Sequence, residues 1–197
     1  MGIDEDKRAT LRRFAAVGAA SPLAVVADRD DDSEVREAIL GYLGATPGAH
    51  FSKLRDDLKL GTGEAQYHLK RLKEAGSVES YRDGDYRRFY QVGRFTEFEK
   101  VALGYLRRET TRGMVVELLR DPTLSGSDLA SRLDVSPATI SSYATDLKGV
   151  GLLASESGYR IERPETLLTL LVRYADSFDE RTVDLATEAA SLVQYDP

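Results

Sequence analysis

A chain of 197 residues that is 42% hydrophobic has material for one or two domains with real cores. It has no cysteine, which excludes disulfides, thiolate metal sites and cysteine nucleophiles together, and its two histidines, His50 and His68, stand near no visible ligand cluster. The formal net charge of -6 has the wrong sign for a generic nucleic-acid binder, so any such role must rest on local charge.

Residues 1–32 admit three readings. Arg12-Arg13 precede an apolar run at 14–27, broken by Ser21-Pro22, and acids follow at 28–32. This resembles a twin-arginine export signal, but Phe14 follows the second arginine without the usual intervening residue. A small alanine-rich helix over residues 5–20, packing on the first domain or on a partner chain, is the second reading. The third is a basic arm that places Lys7, Arg8, Arg12 and Arg13 on phosphates. The run is too short to span a membrane, and no other stretch is a transmembrane candidate.

Ser33 can cap a helix to about Leu43, with Val35, Ile39, Leu40 and Leu43 inward, and Pro47-Gly48 ends that region. Residues 52–60 then put Leu54, Leu58 and Leu60 on one helical face. Gly61, Thr62 and Gly63 interrupt it, and Thr62 is expected to cap the next helix through its hydroxyl. That helix has Ala65, Leu69 and Leu72 as its apolar stripe and stops at Gly76. Two helices joined by so short a turn form a helix-turn-helix. Alternation follows at Val78, Ser80 and residues 87–92, folded back at Asp83-Gly84, a two-residue hairpin signal. Helix, turn, helix and hairpin together make a winged helix.

The wording of residues 67–76, YHLKRLKEAG, followed by a charged, tyrosine-rich wing, resembles archaeal winged helix-turn-helix regulators of the broad ArsR/MarR type. The resemblance implies a non-enzymatic, sequence-specific transcriptional regulator that binds double-stranded DNA in the cytoplasm. Metal-sensing relatives rely on ligand residues that this chain lacks, so no metal and no cofactor is expected. Arginine outnumbers lysine 20 to 7, and aspartate is abundant. That balance is typical of proteins from salt-loving archaea, whose surfaces are acidic almost regardless of function. A cytoplasmic DNA reader also sits badly behind an export signal, which favours the helix over residues 5–20.

The same unit recurs seventy-five residues on without a gap. Leu54, Leu58, Leu60, Ala65, Leu69, Leu72 and Gly76 correspond to Leu129, Leu133, Val135, Ile140, Ala144, Leu147 and Gly151. The expected fold is therefore mainly α with small β wings, as two tandem winged helix-turn-helix domains plus C-terminal helices. The expected order is an N-terminal segment at 1–32, a first winged helix at 33–93, a connecting helix at 94–110, a second winged helix at 111–163 and C-terminal helices at 164–197.

A recognition helix lies in the major groove while a wing reaches phosphates or the minor groove. In the first copy that role falls to Thr62, Gln66, Tyr67, Lys70, Arg71 and Lys73 on the helix and to Arg82, Arg87 and Arg88 on the wing. Gln66 can pair bidentately with adenine, and Lys70 can reach guanine or a phosphate. His68, beside the buried stripe, reads as a packing residue or phosphate donor before a pH sensor. Glu64 favours the helix dipole but would repel a nearby phosphate. The second copy presents Ser141, Ser142, Thr145 and Lys148, with Arg160 on a short wing, so auxiliary DNA contact and a structural role stand equal. The rival function is a protein-binding tandem winged-helix scaffold in chromosome organisation or the transcription machinery.

After Pro164, residues Leu167, Leu168, Leu170, Leu171, Val172 and Tyr174 surround most of a helix, and Thr182 opens an amphipathic helix to about Val193. So many apolar side chains suggest a homodimer through the C-terminal helices. The alternative is docking within the chain.

Overall fold

The computed structural model describes residues 2–18, 31–154 and 158–192. The chain divides into two compact units, Met1–Thr96 and Glu97–Pro197. Among the described residues it is mostly helical, with one two-stranded antiparallel sheet.

In the first unit the order is α1 Gly2–Gly18, α2 Asp31–Ala45, α3 Phe51–Asp57, α4 Thr62–Glu74, β1 Val78–Asp83 and β2 Tyr86–Gln91. The inward faces of α2, α3 and α4 meet in one core: Ile39, Leu43, Leu54, Leu58, Ala65, Leu69 and Leu72 are all buried, and Val78 and Phe89 close it from the wing. Helix α1 packs along α2 through Leu11 and Ala15, and the Phe14 ring meets Tyr42 edge-on at 5.2 Å. The remainder of the apolar run at 19–27 and the acids at 28–30 lie outside the described residues, so their share of the export-signal reading does too. Among the described residues no helix is long and apolar enough to cross a membrane.

Two local expectations are corrected. Thr62 is the first residue of α4 rather than its cap; the N-cap is Gly61, which has no side chain to offer. The Glu64 carboxylate reaches back instead and accepts from the Gly61 N–H at 3.1 Å, while the Thr62 hydroxyl receives Arg55 at 3.4 Å. The hairpin loop is also shifted by one residue. Asp83 pairs with Tyr86, so the loop is Gly84-Asp85, not Asp83-Gly84. Gly84 has φ +57° at the first central position, which a type II′ turn reserves for glycine.

The second unit contains α5 Glu97–Leu106, α6 Glu109–Arg120, α7 Gly126–Leu133, α8 Pro137–Gly149, α9 Pro164–Arg173, a short 3₁₀ turn Ala175–Ser177 and α10 Glu180–Leu192. Helix α8 starts and ends seventy-five residues after α4, and α6 ends seventy-five after α2. The left-handed residue that ends α7, Asp134 at φ +53°, lies at the same offset from Lys59 at φ +55°. Where the first unit has its wing, the second has the single bridge Leu153–Ile161; residues 155–157 lie outside the described set.

Helix α9 packs against α5, α6 and α10. Leu167, Leu168, Leu170, Leu171 and Tyr174 are buried in the single chain, and only Val172 of that run is exposed, at 38%. The apolar surplus read from the sequence is thus covered without a second copy. Val193 lies outside the described residues.

Candidate nucleic-acid interface

Burial of Ala65, Leu69 and Leu72 turns the other face of α4 to solvent, and Thr62, Gln66, Tyr67, Lys70, Arg71 and Lys73 are all exposed. Lys70 keeps 77% of its side chain accessible and is only loosely paired with Glu74, at 3.9 Å. The Arg71 guanidinium lies 6.0 Å from the Tyr67 ring and 4.0 Å from Glu74. A groove runs between α4 and β2, lined by Gln66, Lys70, Lys73 and Glu74 on one side and Arg87 on the other. Phe51, Leu69 and Phe89 form its apolar floor. Four residues chosen for DNA contact thus share one concave surface. Glu74 joins them as a carboxylate.

The wing arginines separate by register. Arg82 and Arg87 are cross-strand partners, both exposed near the hairpin tip. Arg88, one residue on, points the other way and is 2% exposed. Its Nε donates to the Asp83 carboxylate, and a terminal nitrogen donates to the Gly48 carbonyl at 3.1 Å. Arg88 therefore fastens the wing to the turn before α3, where His50 bridges to it, and it has little surface left to offer a phosphate. Strand alternation puts Arg87 and Arg88 on opposite faces, but β2 is buried on both faces from Arg88 to Tyr90, so alternation does not tell which of the two is exposed.

His68 is 3% exposed on the core side of α4. Its Nδ1 has no hydrogen-bond partner, and its Nε2 lies 3.8 Å from an Asp32 oxygen. Burial, followed by the nearby positive charges of Arg36 and Lys7, depresses its pKa below the usual imidazole value against the pull of Asp32 and Glu64. It is a packing residue, edge-on to Tyr67. His50 is depressed as well, by burial and then by Arg88 and Lys53; its Nδ1 accepts from the Lys53 N–H at the start of α3.

The corresponding face of α8 is built differently. Ser136 caps the helix by accepting from the Thr139 N–H at 3.1 Å, and Pro137 follows as the first helical residue. Ser141, Ser142 and Thr145 are exposed, but the Thr145 hydroxyl donates to the Ser141 carbonyl at 2.9 Å, and Lys148 is half-buried. Charge follows the same division. Residues 1–96 hold 16 basic and 16 acidic side chains and residues 97–197 hold 11 and 17, so the whole excess of -6 belongs to the second unit.

This geometry defines a winged helix-turn-helix in the first unit. Residues 33–103 match the profile of an N-terminal HTH domain family. The chain is also similar to an uncharacterized HTH-type transcriptional regulator of Methanocaldococcus jannaschii, 25% identical over 130 residues. That alignment covers 66% of this chain and 32% of the relative, so the sequence spans about a third of the curated protein it matches.

Proposed function

We propose that the protein is a DNA-binding transcriptional regulator of the ArsR/MarR-like winged-helix kind, built from two tandem copies of which the first makes the main DNA contact. Helix α4 enters the major groove, with Gln66 and Lys70 at base edges, and Arg82 and Arg87 take backbone phosphates from the wing. The observation that carries this reading is the groove that joins Gln66, Lys70 and Lys73 of α4 to Arg87 of the wing. Its unit has balanced charge while the other is acidic, and the HTH profile and the regulator from M. jannaschii support the same class. The shared bounds of α4 and α8 support the tandem reading, and the excess of arginine over lysine supports a salt-loving archaeal source.

A second reading attaches to the second unit alone. Its charge-poor α8 face and its acidic excess suit protein contact better than phosphate contact, which makes it a scaffold for another component of the regulatory complex. A mobility shift on genomic fragments, at salt near that of the source organism, tests the main proposal. A retarded subset of fragments is expected; equal retardation of none or of all would reject sequence-specific binding.

A further inference from the structure

Helix α4 starts with a conflict. Its N-cap is a glycine with no side-chain acceptor, and the Glu64 carboxylate, one turn in, reaches back to accept from the Gly61 N–H at 3.1 Å. This places a carboxylate at the end of the helix where phosphates are best received. The carboxylate is ionised at neutral pH: burial raises its pKa, but hydrogen bonds from Lys7 and the Gly61 N–H, with the Lys7 charge, hold it below the usual range. Lys7 belongs to α1, and its Nζ donates to both Glu64 oxygens, at 2.8 and 2.9 Å. Both side chains are less than a third exposed, so this contact is less screened than an open surface pair. A second pair from the same turn of α1, Asp6 with Lys59 at 2.8 Å, holds α1 to the turn between α3 and α4.

We propose that α1 supports the DNA-reading surface from behind, with Lys7 as a positioning residue that neutralises Glu64 and so lets the start of α4 approach a phosphate. The inference rests on the DNA-binding reading above. Glu64 keeps its capping role because only its charge is cancelled. Lys7 acts through Glu64 and touches no DNA.

A double-mutant cycle on the full chain tests it, using a fluorescein-labelled duplex of about three helical turns and monitoring unfolding in parallel. In the native background Lys7→Met should weaken binding about threefold to fivefold, the effect of one uncompensated charge near a phosphate. Lys7→Arg should retain native affinity. Glu64→Gln keeps an oxygen for the Gly61 N–H and removes the charge, and in that background Lys7→Met should change nothing. An equal loss in both backgrounds would make Lys7 a direct phosphate contact and overturn the inference. No loss in either would also overturn it. Failure of the native chain to bind any duplex would instead reject the DNA reading itself.

Discussion

Arg82 and Arg87 stand directly opposite each other across the two strands of the wing. Like charges in that position repel, so the pair costs the isolated hairpin a fraction of a kcal/mol, up to about 1. An anion between or beside them would relieve that repulsion. Arg88, the next residue, is buried against Asp83. Adjacent arginines therefore have opposite expected phenotypes. Replacing Arg82 and Arg87 together by alanine should leave the fold at least as stable. It should weaken binding to all sequences alike and lower the salt slope by about one for each lost phosphate contact. Arg88→Ala strands a buried carboxylate and should cost about 3–5 kcal/mol of stability. Thermal melts beside a salt titration separate the two; a stable Arg88→Ala with the larger binding defect would reverse the assignment.

Sequence preference should follow Gln66, and affinity the first copy. Gln66→Ala should cost about 1–3 kcal/mol at sites that place adenine beneath it and little elsewhere. Lys70→Ala should weaken binding more than Thr145→Ala, because Lys70 is open to solvent while the Thr145 hydroxyl is already bonded to its own helix. Both variants can be compared in one anisotropy assay. A larger loss from Thr145→Ala would move the principal contact to the second copy.

The core of this fold was legible because period and punctuation agreed. Leu54, Leu58, Ala65, Leu69 and Leu72 were read as inward from spacing alone, and all five are buried. Two details were not legible because they depend on which neighbour supplies a missing group. At the glycine-capped start of α4 it is Glu64 that accepts from the Gly61 N–H, and a loop one residue further on changes every cross-strand partner in the wing by two residues. Only that register pairs Arg82 with Arg87. The partner of Glu64 was hidden for another reason: Lys7 lies fifty-seven residues away, in a segment with three competing readings. The apolar circumference of α9 was read correctly as needing cover, but the sequence contains no signal for whose surface provides it.

Acid should loosen the packing behind α4. The folded pKa of His68 lies below its unfolded value, so between the two the unfolded chain binds more protons and stability falls as pH falls. The contribution is complete above the ordinary imidazole value of about 6.5 and is lost as pH drops through the folded value. His50 adds a loss of the same sign. His68→Gln should flatten the slope of stability against pH in this window. Urea melts taken stepwise through mildly acidic pH measure it; an unchanged slope would show that His68 does not titrate with unfolding.

The last prediction concerns α9. Leu167 and Leu171 are fully buried, and Leu168 and Leu170 nearly so, against α5, α6 and α10 of the same unit. A carboxylate at position 171 would have to ionise in a buried, largely apolar setting or displace the helix. Leu171→Asp should therefore unfold the second unit, lowering its melting temperature sharply or yielding insoluble protein. If α9 were an interface between copies, the same change would leave each chain folded and halve the mass. Val172 and Val183, each 38% exposed, are the positions to change when probing assembly, since neither supports the core. Light scattering and circular dichroism on Leu171→Asp and on Val172→Asp distinguish the cases. A Leu171→Asp chain that is soluble, fully helical and lighter than the native protein would return α9 to a dimer interface, against its burial here.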